Sequence, residues 1–464
     1  MGLKGIIDGI FGADKKQPVP GRRQNQPPAA RPVNPEFAPI LEKIRSKKYP
    51  FILIQGKAGT GKTTLVKHIA ETFSNVVIVA FTGKTALNSG GQTIHSYFGF
   101  KPGYTSPDIV DRAFAKSVHY KMEILVIDEI SMVRADLMDG IERFLRTKVH
   151  KNNRLFGGIQ VVAVGDIFQL PPVVGKQDQT LLDAGGYITE YFFGARAFDG
   201  CEIEFLELTK IYRQTDQLFI ALLDRIRLNL DVKTAIEAIN SHCRRPISNC
   251  PGQLLLTTTN SRADIHNKRR QETLDPRTEK VFVANIEDHI PGFWTDNKLS
   301  DKNVPSPREL TLRHGAQVMF TQNDSNRRWV NGTIGRVNSL HDKYAMVEIE
   351  TIGETYQVDR VTWEYYMYMV DPHSKKITRQ LAGTYTQIPL VLAWAFTIHK
   401  SQGITLDRYI VDIGSGAFAC GQLYVALSRG RTLDGITLAR PLRTSDVKTD
   451  ARLLELYRVL KEPK

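Results

Sequence analysis

Several features are scarce in this 464-residue chain, and each scarcity argues against a class of protein. Four scattered cysteines are too few for a disulfide framework, which favours a reducing compartment. His242, Cys243 and Cys250 lie close together in the sequence, but no fourth zinc ligand accompanies them. No apolar run approaches the roughly 20 residues of a membrane span, and the first residues are too weakly apolar for a signal peptide. We therefore expect a cytoplasmic protein with no membrane partner.

Positive charge is in excess, because Lys and Arg number 62 against 49 Asp and Glu, a net charge of +13. Such an excess favours a polyanionic partner, either nucleic acid or an anionic surface. Apolar residues make up 42% of the chain, which is enough to bury more than one core. Residues 1–36 instead carry many prolines with Gln, Asn and Arg, a composition that predicts a flexible tail.

Short apolar runs, separated by helical or loop stretches, recur along the chain. One set is FILIQ, VVIVAF, EILVID, QVVAV and IEFLEL, and a second is QLLLTTT, PLVLAWAF, RYIVDI and GITLA. This alternation predicts an α/β fold with two lobes, each built on a parallel, doubly wound sheet. Alternating β-rich segments at residues 333–388 predict a small antiparallel barrel inserted into the second lobe.

The segment GKAGTGKT, Gly56 to Thr63, fits the pattern G-x-x-x-x-G-K-T and lies between a predicted strand and a predicted helix. Its glycines let successive backbone N–H groups surround phosphate oxygens at a helix N-terminus. Lys62 adds a positive charge, and the hydroxyl of Thr63 is a ligand for Mg²⁺. The predicted nucleotide-binding residues are Gly56, Ala58, Gly59, Thr60, Gly61, Lys62, Thr63 and Thr64.

A carboxylate pair follows at the end of a later buried run, LVIDEISMV. Asp128 is placed to hold Mg²⁺ through water, and Glu129 to act as a base on the attacking water. Taken alone, such a pair is usually the solvated start of a loop, but with the phosphate loop it predicts a hydrolytic site. In VAVGDIFQLPPV, Gln169 is placed to sense the γ-phosphate, and Pro171 and Pro172 stiffen the segment behind it.

Seven motifs follow one another along the chain: GKAGTGKT, FTGKTALNSGGQTIHSYFG, VIDEISMV, FGGIQVVAVGDIFQLPPV, LTKIYRQTD, WAFTIHKSQGITLD and YVALSRGRTLDG. Their order resembles that of the Pif-type helicases of superfamily 1B, whose nearest relatives are RecD-like helicases. The resemblance implies two RecA-like lobes that bind ATP and Mg²⁺ between them. The first would comprise residues 37–212, with a small wedge insertion at about 97–116, and the second residues 213–332 and 389–464. The segment before the phosphate loop lacks the adenine-recognising glutamine that relatives place there.

The resemblance also implies site residues. Arg213 and Arg429 would be arginine fingers that reach the γ-phosphate from the second lobe, although each alone is equally consistent with a surface ion pair. Small polar groups suit contacts to DNA phosphates, which position a strand without reading its sequence. The implied DNA-binding residues are Thr82, Gly83, Thr93, His95, Ser96, Phe98, Pro171, Pro172, His399 and Ser401.

Alternatives exist for several of these residues. Tyr97, Phe98 and Phe100 are candidates for base stacking or for a wedge at the duplex fork, or equally for the core. His95 and His399 are candidates for DNA contacts or for hydrogen-bonded core histidines.

The resemblance implies a monomeric, nucleoid-associated, ATP-dependent 5′→3′ DNA helicase. Its partners would be single-stranded DNA and 5′-tailed duplex or quadruplex DNA. A RecD-like helicase is one alternative, and a nucleotide-switched DNA-binding ATPase without strand separation is another. A small-molecule P-loop kinase or GTPase would leave the second lobe unexplained.

Overall fold

The computed structural model describes residues 34–101, 103–246, 252–296, 304–326, 328–349, 352–371, 373 and 377–462. Residues 1–33 of the predicted tail and Cys250 lie outside these residues, so the flexible tail stays a prediction. Residues Ile40–Lys464 form one compact unit. In the described part of the chain, no helix is long and apolar enough to cross a membrane.

A six-stranded parallel sheet organises the first lobe, in the strand order β3-β2-β4-β5-β1-β6. Its strands are β1 (Phe51–Gly56), β2 (Val76–Ala80), β3 (Gln92–Thr93), β4 (Ile124–Asp128), β5 (Gln160–Gly165) and β6 (Ile203–Leu208). Every residue of β1, β2, β4 and β5 is buried, as expected for continuous apolar runs covered on both faces. Because β5 pairs with both β1 and β4, the residues that follow these three strands meet at one edge of the sheet.

Short helices precede or follow the strands of this sheet along the chain. They are α1 (Phe37–Arg45), α2 (Lys62–Thr72), α3 (Gly83–Ser89), α4 (Ile94–Phe98), α5 (Pro107–Arg112), α6 (Ser117–Lys121), α7 (Ala135–Arg143) and α8 (Lys176–Ala184). A π-helical segment, Phe144–Val149, continues α7. Single 3₁₀ turns occupy Ile130–Met132, Leu155–Gly158, Phe192–Gly194 and Arg196–Phe198.

The second lobe is built on a four-stranded parallel sheet in the order β18-β7-β19-β20. Its strands are β7 (Leu254–Thr257), β18 (Ala395–Thr397), β19 (Tyr409–Asp412) and β20 (Ile436–Leu438). Its helices are α9 (Gln217–Leu228), α10 (Val232–Cys243), α11 (Asn260–Glu272) and α13 (Gln422–Leu427), with 3₁₀ turns at Leu433–Gly435 and Thr444–Asp446. The prediction of two lobes with parallel sheets is therefore confirmed.

Antiparallel strands occupy the region between β7 and β18. They are β8 (Lys280–Val283), β9 (Asn285–Asp288), β10 (Glu309–Leu312), β11 (Gln317–Phe320), β12 (Ile334–Leu340), β13 (Tyr344–Ile349), β14 (Glu354–Asp359), β15 (Val361–Val370), β16 (Ile377–Gln387) and β17 (Leu390–Leu392). A 3₁₀ turn at Pro276–Thr278 and helix α12 (Phe293–Asp296) accompany them.

The predicted small barrel at residues 333–388 is not confirmed. Its strands divide between a five-stranded sheet, β14-β13-β12-β11-β17, and a three-stranded sheet, β15-β16-β9. Strands from outside the predicted insert, β9, β11 and β17, complete both sheets. The run PLVLAWAF also divides, since β17 pairs with the antiparallel β11 whereas β18 enters the parallel sheet beside β7.

The last helix, α14 (Ala451–Lys461), follows the second lobe in sequence but packs on the first. Leu453 is buried in the first-lobe core, and Leu454 and Leu456 pack against that core. The Tyr457 hydroxyl donates to Glu207 of β6 at 2.7 Å, and Lys461 forms an ion pair with the same carboxylate at 2.8 Å. The chain therefore returns to the lobe from which it started.

Candidate functional site

The phosphate loop joins β1 to α2 at the carboxyl edge of the first-lobe sheet. Gly59 and Gly61 have left-handed φ angles of 87° and 88°, which glycine adopts without strain. A Cβ atom on Gly59 would lie 2.6 Å from the Cβ of Arg213. The Tyr212 N–H donates to the Gly59 carbonyl at 2.8 Å. The loop is therefore in contact with the segment that leads into the second lobe.

Lys62 begins α2, and its Nζ donates to the carbonyls of Gly56 and Lys57 at 2.8 and 3.2 Å. Burial lowers the pKa of Lys62, although Asp166 and Glu129 oppose this shift. A desolvated ammonium is stabilised by an anionic ligand, so this position suits a phosphate. The buried Thr60 hydroxyl donates to the Lys57 carbonyl at 2.9 Å and thereby supports the shape of the loop.

The two predicted carboxylates lie at the end of β4. Asp128 is buried and accepts hydrogen bonds from the Ser89 hydroxyl and from the Glu129 N–H, the latter at 2.9 Å. Glu129 has a left-handed φ of 55°, and its buried Oε2 has no hydrogen-bond partner among the described residues. Burial raises the pKa of both carboxyl groups. A divalent cation would favour their ionised forms, so this donor set fits Mg²⁺.

A cavity of about 360 Å³ joins the phosphate loop to residues of the second lobe. The predicted residues that line it are Ala58, Gly59, Gly61, Lys62, Thr63, Thr64, Glu129, Gln169, Arg213 and Arg429. Gly56, Thr60 and Asp128 lie behind this lining. The structure thus brings one group of hydrolytic candidates from each lobe to a single cavity.

Arg213 and Arg429 are held by carbonyl groups, and neither forms an ion pair with a carboxylate in the described part of the chain. Arg213 donates to the Ser428 carbonyl at 3.1 Å, and Arg429 donates through Nε to the Val425 carbonyl at 2.9 Å. Burial, with Arg429 next in importance, lowers the pKa of Arg213 to about 9, and burial also lowers the pKa of Arg429. Because guanidinium groups stay charged in proteins, this is positive charge that an anion in the cavity would compensate.

Sequence reasoning missed four residues that line the same cavity: Tyr212, Gly403, Thr405 and Arg431. Arg431 is half-exposed and forms an ion pair with Asp407 at 2.8 Å. Each of the four lies within four residues of a predicted residue. The motifs therefore identify the segments that line the cavity but not every residue that lines it.

A second, larger cavity of about 870 Å³ lies between the two lobes and the antiparallel strands. Lys84, Lys400, Asn267, Trp363 and Tyr366 are among the residues that line it. Lys84 donates to the Lys400 carbonyl at 3.2 Å, and burial lowers its pKa to about 8. Lys84 was not predicted, although it stands in FTGKTAL next to two predicted residues.

None of the predicted DNA-binding residues lines this cavity, although Thr82, Gly83, His399 and Ser401 are within two residues of Lys84 or Lys400, which do. Gly83, Thr93 and Ser96 line a smaller cavity of about 180 Å³. The Thr82 and Thr93 hydroxyls each accept a backbone N–H at 3.2 Å and so cap α3 and α4. Ser401 is fully buried, and its hydroxyl donates to the Ile398 carbonyl at 2.7 Å.

The aromatic candidates Tyr97, Phe98 and Phe100 are at least 96% buried in the first-lobe core, so they present no face to a base in this structure. Phe114, in the same predicted insertion, is 87% exposed instead.

The remaining DNA candidates are partly or fully buried. Burial lowers the pKa of both His95 and His399. The His399 ring stacks on Phe418, with 6.3 Å between centroids. Pro172 is buried and Pro171 is partly exposed.

Comparison with known proteins accords with this geometry. Residues 34–225 match the sequence profile of a family described as PIF1-like helicase. The ATP-dependent DNA helicase PIF1 of Homo sapiens is 32% identical over 456 residues, which cover 96% of this chain and 66% of the human protein. The chain thus spans about two thirds of the length of that relative.

Solved structures extend the similarity to the fold. Bacteroides sp Pif1 in complex with ADP-AlF4 has a TM-score of 0.82 and 36% identity, with 92% of this chain and 97% of that chain covered. Bacteroides Pif1 bound to ssDNA has the same identity but a TM-score of 0.63, with coverages of 92% and 96%. The parallel sheets of this chain are therefore those of RecA-like lobes. Because the 36% identity extends through almost the whole of the solved chain, this protein belongs to the PIF1-like helicase family.

Proposed function

We propose that this chain is an ATP-dependent DNA helicase that moves 5′→3′ along single-stranded DNA and unwinds duplex or structured DNA. The observation that carries the proposal is the 360 Å³ cavity, in which the phosphate loop of one lobe faces two uncompensated arginines of the other. A ligand with several negative charges, such as a triphosphate, would join the lobes there.

In the proposed reaction, Lys62 and the loop N–H groups hold the phosphates of ATP. Thr63 and Asp128 would hold Mg²⁺, which would neutralise phosphate charge when bound. Glu129 accepts the proton of the attacking water, and burial, which raises its pKa, favours the protonated form that results. Gln169 lines the same cavity and is placed to respond to the γ-phosphate.

The two arginines make hydrolysis depend on the arrangement of the lobes. Arg213 and Arg429 supply positive charge to the γ-phosphate from the second lobe, an effect worth on the order of 10³ to 10⁵ in turnover elsewhere. Any separation of the lobes removes this charge from the phosphate. ATP binding and hydrolysis therefore drive lobe movement in the proposed cycle.

We propose that single-stranded DNA occupies the 870 Å³ cavity, on the basis of its size, its position between the lobes and the Lys84–Lys400 pair, although Asp264, Glu309 and Glu364 also line it. Lys84 and Lys400 would contact phosphates, and the partly exposed Tyr366 offers aromatic surface to bases. The 5′→3′ direction, the quadruplex substrates and the monomeric state follow from the family resemblance alone. A nucleoid-associated location in the cytoplasm is the corresponding expectation.

Glu129→Gln tests the assignment, because it keeps the size of the side chain but cannot accept the proton. We expect DNA-stimulated ATP hydrolysis to fall by about 10² to 10⁴-fold, with ATP and DNA still bound, and unwinding of a 5′-tailed duplex to disappear. Glu272→Gln, at a 59% exposed carboxylate on α11, is the matched control and keeps both activities. Unwinding by Glu129→Gln, or equal wild-type unwinding of 3′-tailed and 5′-tailed duplexes, would contradict the proposal.

A further inference from the structure

A buried tyrosine of the second lobe reaches into the nucleotide site of the first. Tyr424 lies on α13, five residues before Arg429, and is only 3% exposed. Its hydroxyl accepts a hydrogen bond from the Ala58 N–H of the phosphate loop at 3.2 Å. The same hydroxyl donates to Asp166 Oδ2 at 2.9 Å. One oxygen atom of the second lobe thus joins two segments of the first.

Asp166 follows β5 and is completely buried. Its Oδ1 accepts from Gln55 Nε2 at 2.8 Å and lies 3.3 Å from Arg227 Nε of α9. Its Oδ2 accepts from Tyr424 and, at 3.4 Å, from the amide of Gln169. Burial opposes ionisation of Asp166, but Arg227, Lys62 and the hydrogen bonds from Tyr424 and Gln55 together hold its pKa below the usual value. The charged Asp166 carboxylate therefore connects Gln169, the proposed γ-phosphate sensor, to helices α9 and α13 of the second lobe.

The hydrogen bonds that join Ala58, Tyr424, Asp166 and Gln169 form a relay between the lobes. Packing around this relay is close. A Cβ atom on Gly421, the residue before α13, would lie 2.4 Å from the Phe168 carbonyl oxygen and 2.5 Å from that of Gln169. Ala58 and Leu170, both from the first lobe, are buried within the hydrophobic core of the second. The start of α13 is therefore fixed against the residues on either side of the relay.

We infer that the Tyr424 hydroxyl is a positioning group that holds the phosphate loop, the Asp166–Gln169 segment and the helix leading to Arg429 in one arrangement. The inference rests on the proposed ATPase function and adds a residue to it. Tyr424 does not line the nucleotide cavity, so it acts through Ala58, Asp166 and the helix that carries Arg429. Loss of the hydroxyl leaves the Ala58 N–H and Asp166 Oδ2 each short of one partner, while the ring continues to fill its place.

Loss of the Tyr424 hydroxyl should weaken the binding of ADP–aluminium fluoride more than the binding of ADP. ADP is held mainly by groups of the first lobe, whereas ADP with aluminium fluoride, which mimics the transferred phosphate, also needs Arg213 and Arg429. For Tyr424→Phe we expect ADP affinity within about twofold of wild type. We expect the preference for ADP–aluminium fluoride, and kcat at saturating DNA, each to fall about tenfold, the equivalent of one buried hydrogen bond.

The experiment uses the full chain with saturating single-stranded DNA and measures both affinities, kcat and KM for ATP. Tyr385→Phe is the matched control, because its fully buried hydroxyl donates to the Ser306 carbonyl at 2.7 Å in the antiparallel region. Thermal unfolding of both variants measures the purely structural cost of losing such a hydroxyl. Asp166→Asn perturbs the same relay from the other side, and we expect the same separation of ADP from ADP–aluminium fluoride affinity.

If Tyr424→Phe loses stability as Tyr385→Phe does but keeps wild-type kcat and analogue preference, the hydroxyl only stabilises the fold and the inference is overturned. An equal loss of ADP affinity and analogue affinity would overturn it as well. Failure of the wild-type chain to hydrolyse ATP would instead refute the proposed function, so the two failures are distinguishable.

Discussion

If single-stranded DNA occupies the proposed cavity, Lys84 makes its affinity fall as the pH rises. Its ammonium group lines the 870 Å³ cavity and donates to the Lys400 carbonyl at 3.2 Å. Burial, with Arg429 and Lys400 adding to it, lowers the pKa of Lys84 from 10.5 to about 8. A DNA phosphate in the cavity would favour the charged form and raise this pKa again. At a pH above about 8, Lys84 of the free protein must therefore take up a proton when DNA binds.

The magnitude follows from the fraction of Lys84 that is charged. With a pKa of about 8 in the free protein, this fraction falls from about nine tenths at pH ~7 to about one tenth at pH ~9. If the bound lysine titrates near its usual 10.5, affinity for single-stranded DNA falls about tenfold over this interval. The Lys84→Arg variant keeps its positive charge at all these pH values. Its affinity for single-stranded DNA should therefore change little between pH ~7 and pH ~9.

The assay is fluorescence anisotropy of a rhodamine-labelled oligothymidylate, at constant ionic strength because phosphate contacts are salt-dependent. Lys268→Arg, at a 79% exposed lysine of α11, controls for the substitution itself and should keep the wild-type slope. Parallel curves for the wild type and Lys84→Arg would refute the reasoning. Such a result would show that Lys84 either faces no phosphate or stays charged in the free protein.

Two further predictions concern stability and strand separation. Arg227→Met removes the ion-pair partner of the buried Asp166 and should lower the urea midpoint by the equivalent of about 3 kcal/mol, whereas Arg225→Met, at an exposed pair, should cost under about 1 kcal/mol. Equal midpoints for the two variants would contradict this. Phe114→Ala should slow unwinding several-fold with DNA-stimulated ATP hydrolysis unchanged, because an 87% exposed ring offers base stacking worth about 1–3 kcal/mol. Val459→Ala, at a 52% exposed position of α14, is its control, and equal unwinding by the two would exclude the role.

The elements that sequence reasoning predicted well are those with a local physical cause. Continuous apolar runs predicted the parallel sheets, because such strands are covered on both faces. The glycines of the phosphate loop marked a turn that only left-handed backbone completes, as at Gly59 and Gly61. Lys62 and Glu129 could then be placed at one edge of the sheet, because each follows a buried strand of a predicted parallel sheet.

The features that escaped prediction depend on contacts between distant segments. Phe98 and Phe114 lie in one short stretch of sequence, yet the first is 1% and the second 87% exposed, which only tertiary packing decides. The hydroxyl of Thr82 caps a helix, a role that the motif does not distinguish from a phosphate contact. The strands on both sides of residues 333–388 carry too weak an alternation to reveal that they complete its sheets.

Helix α14 has a mechanical consequence. Two connections join the second lobe to the first, where the chain leaves β6 and again where α14 returns to the first-lobe core. They lie side by side, because Tyr457 and Lys461 of α14 both bind Glu207, the residue before the end of β6. A rotation of the second lobe about this shared edge would strain neither connection, so we expect lobe movement in the proposed cycle to pivot there.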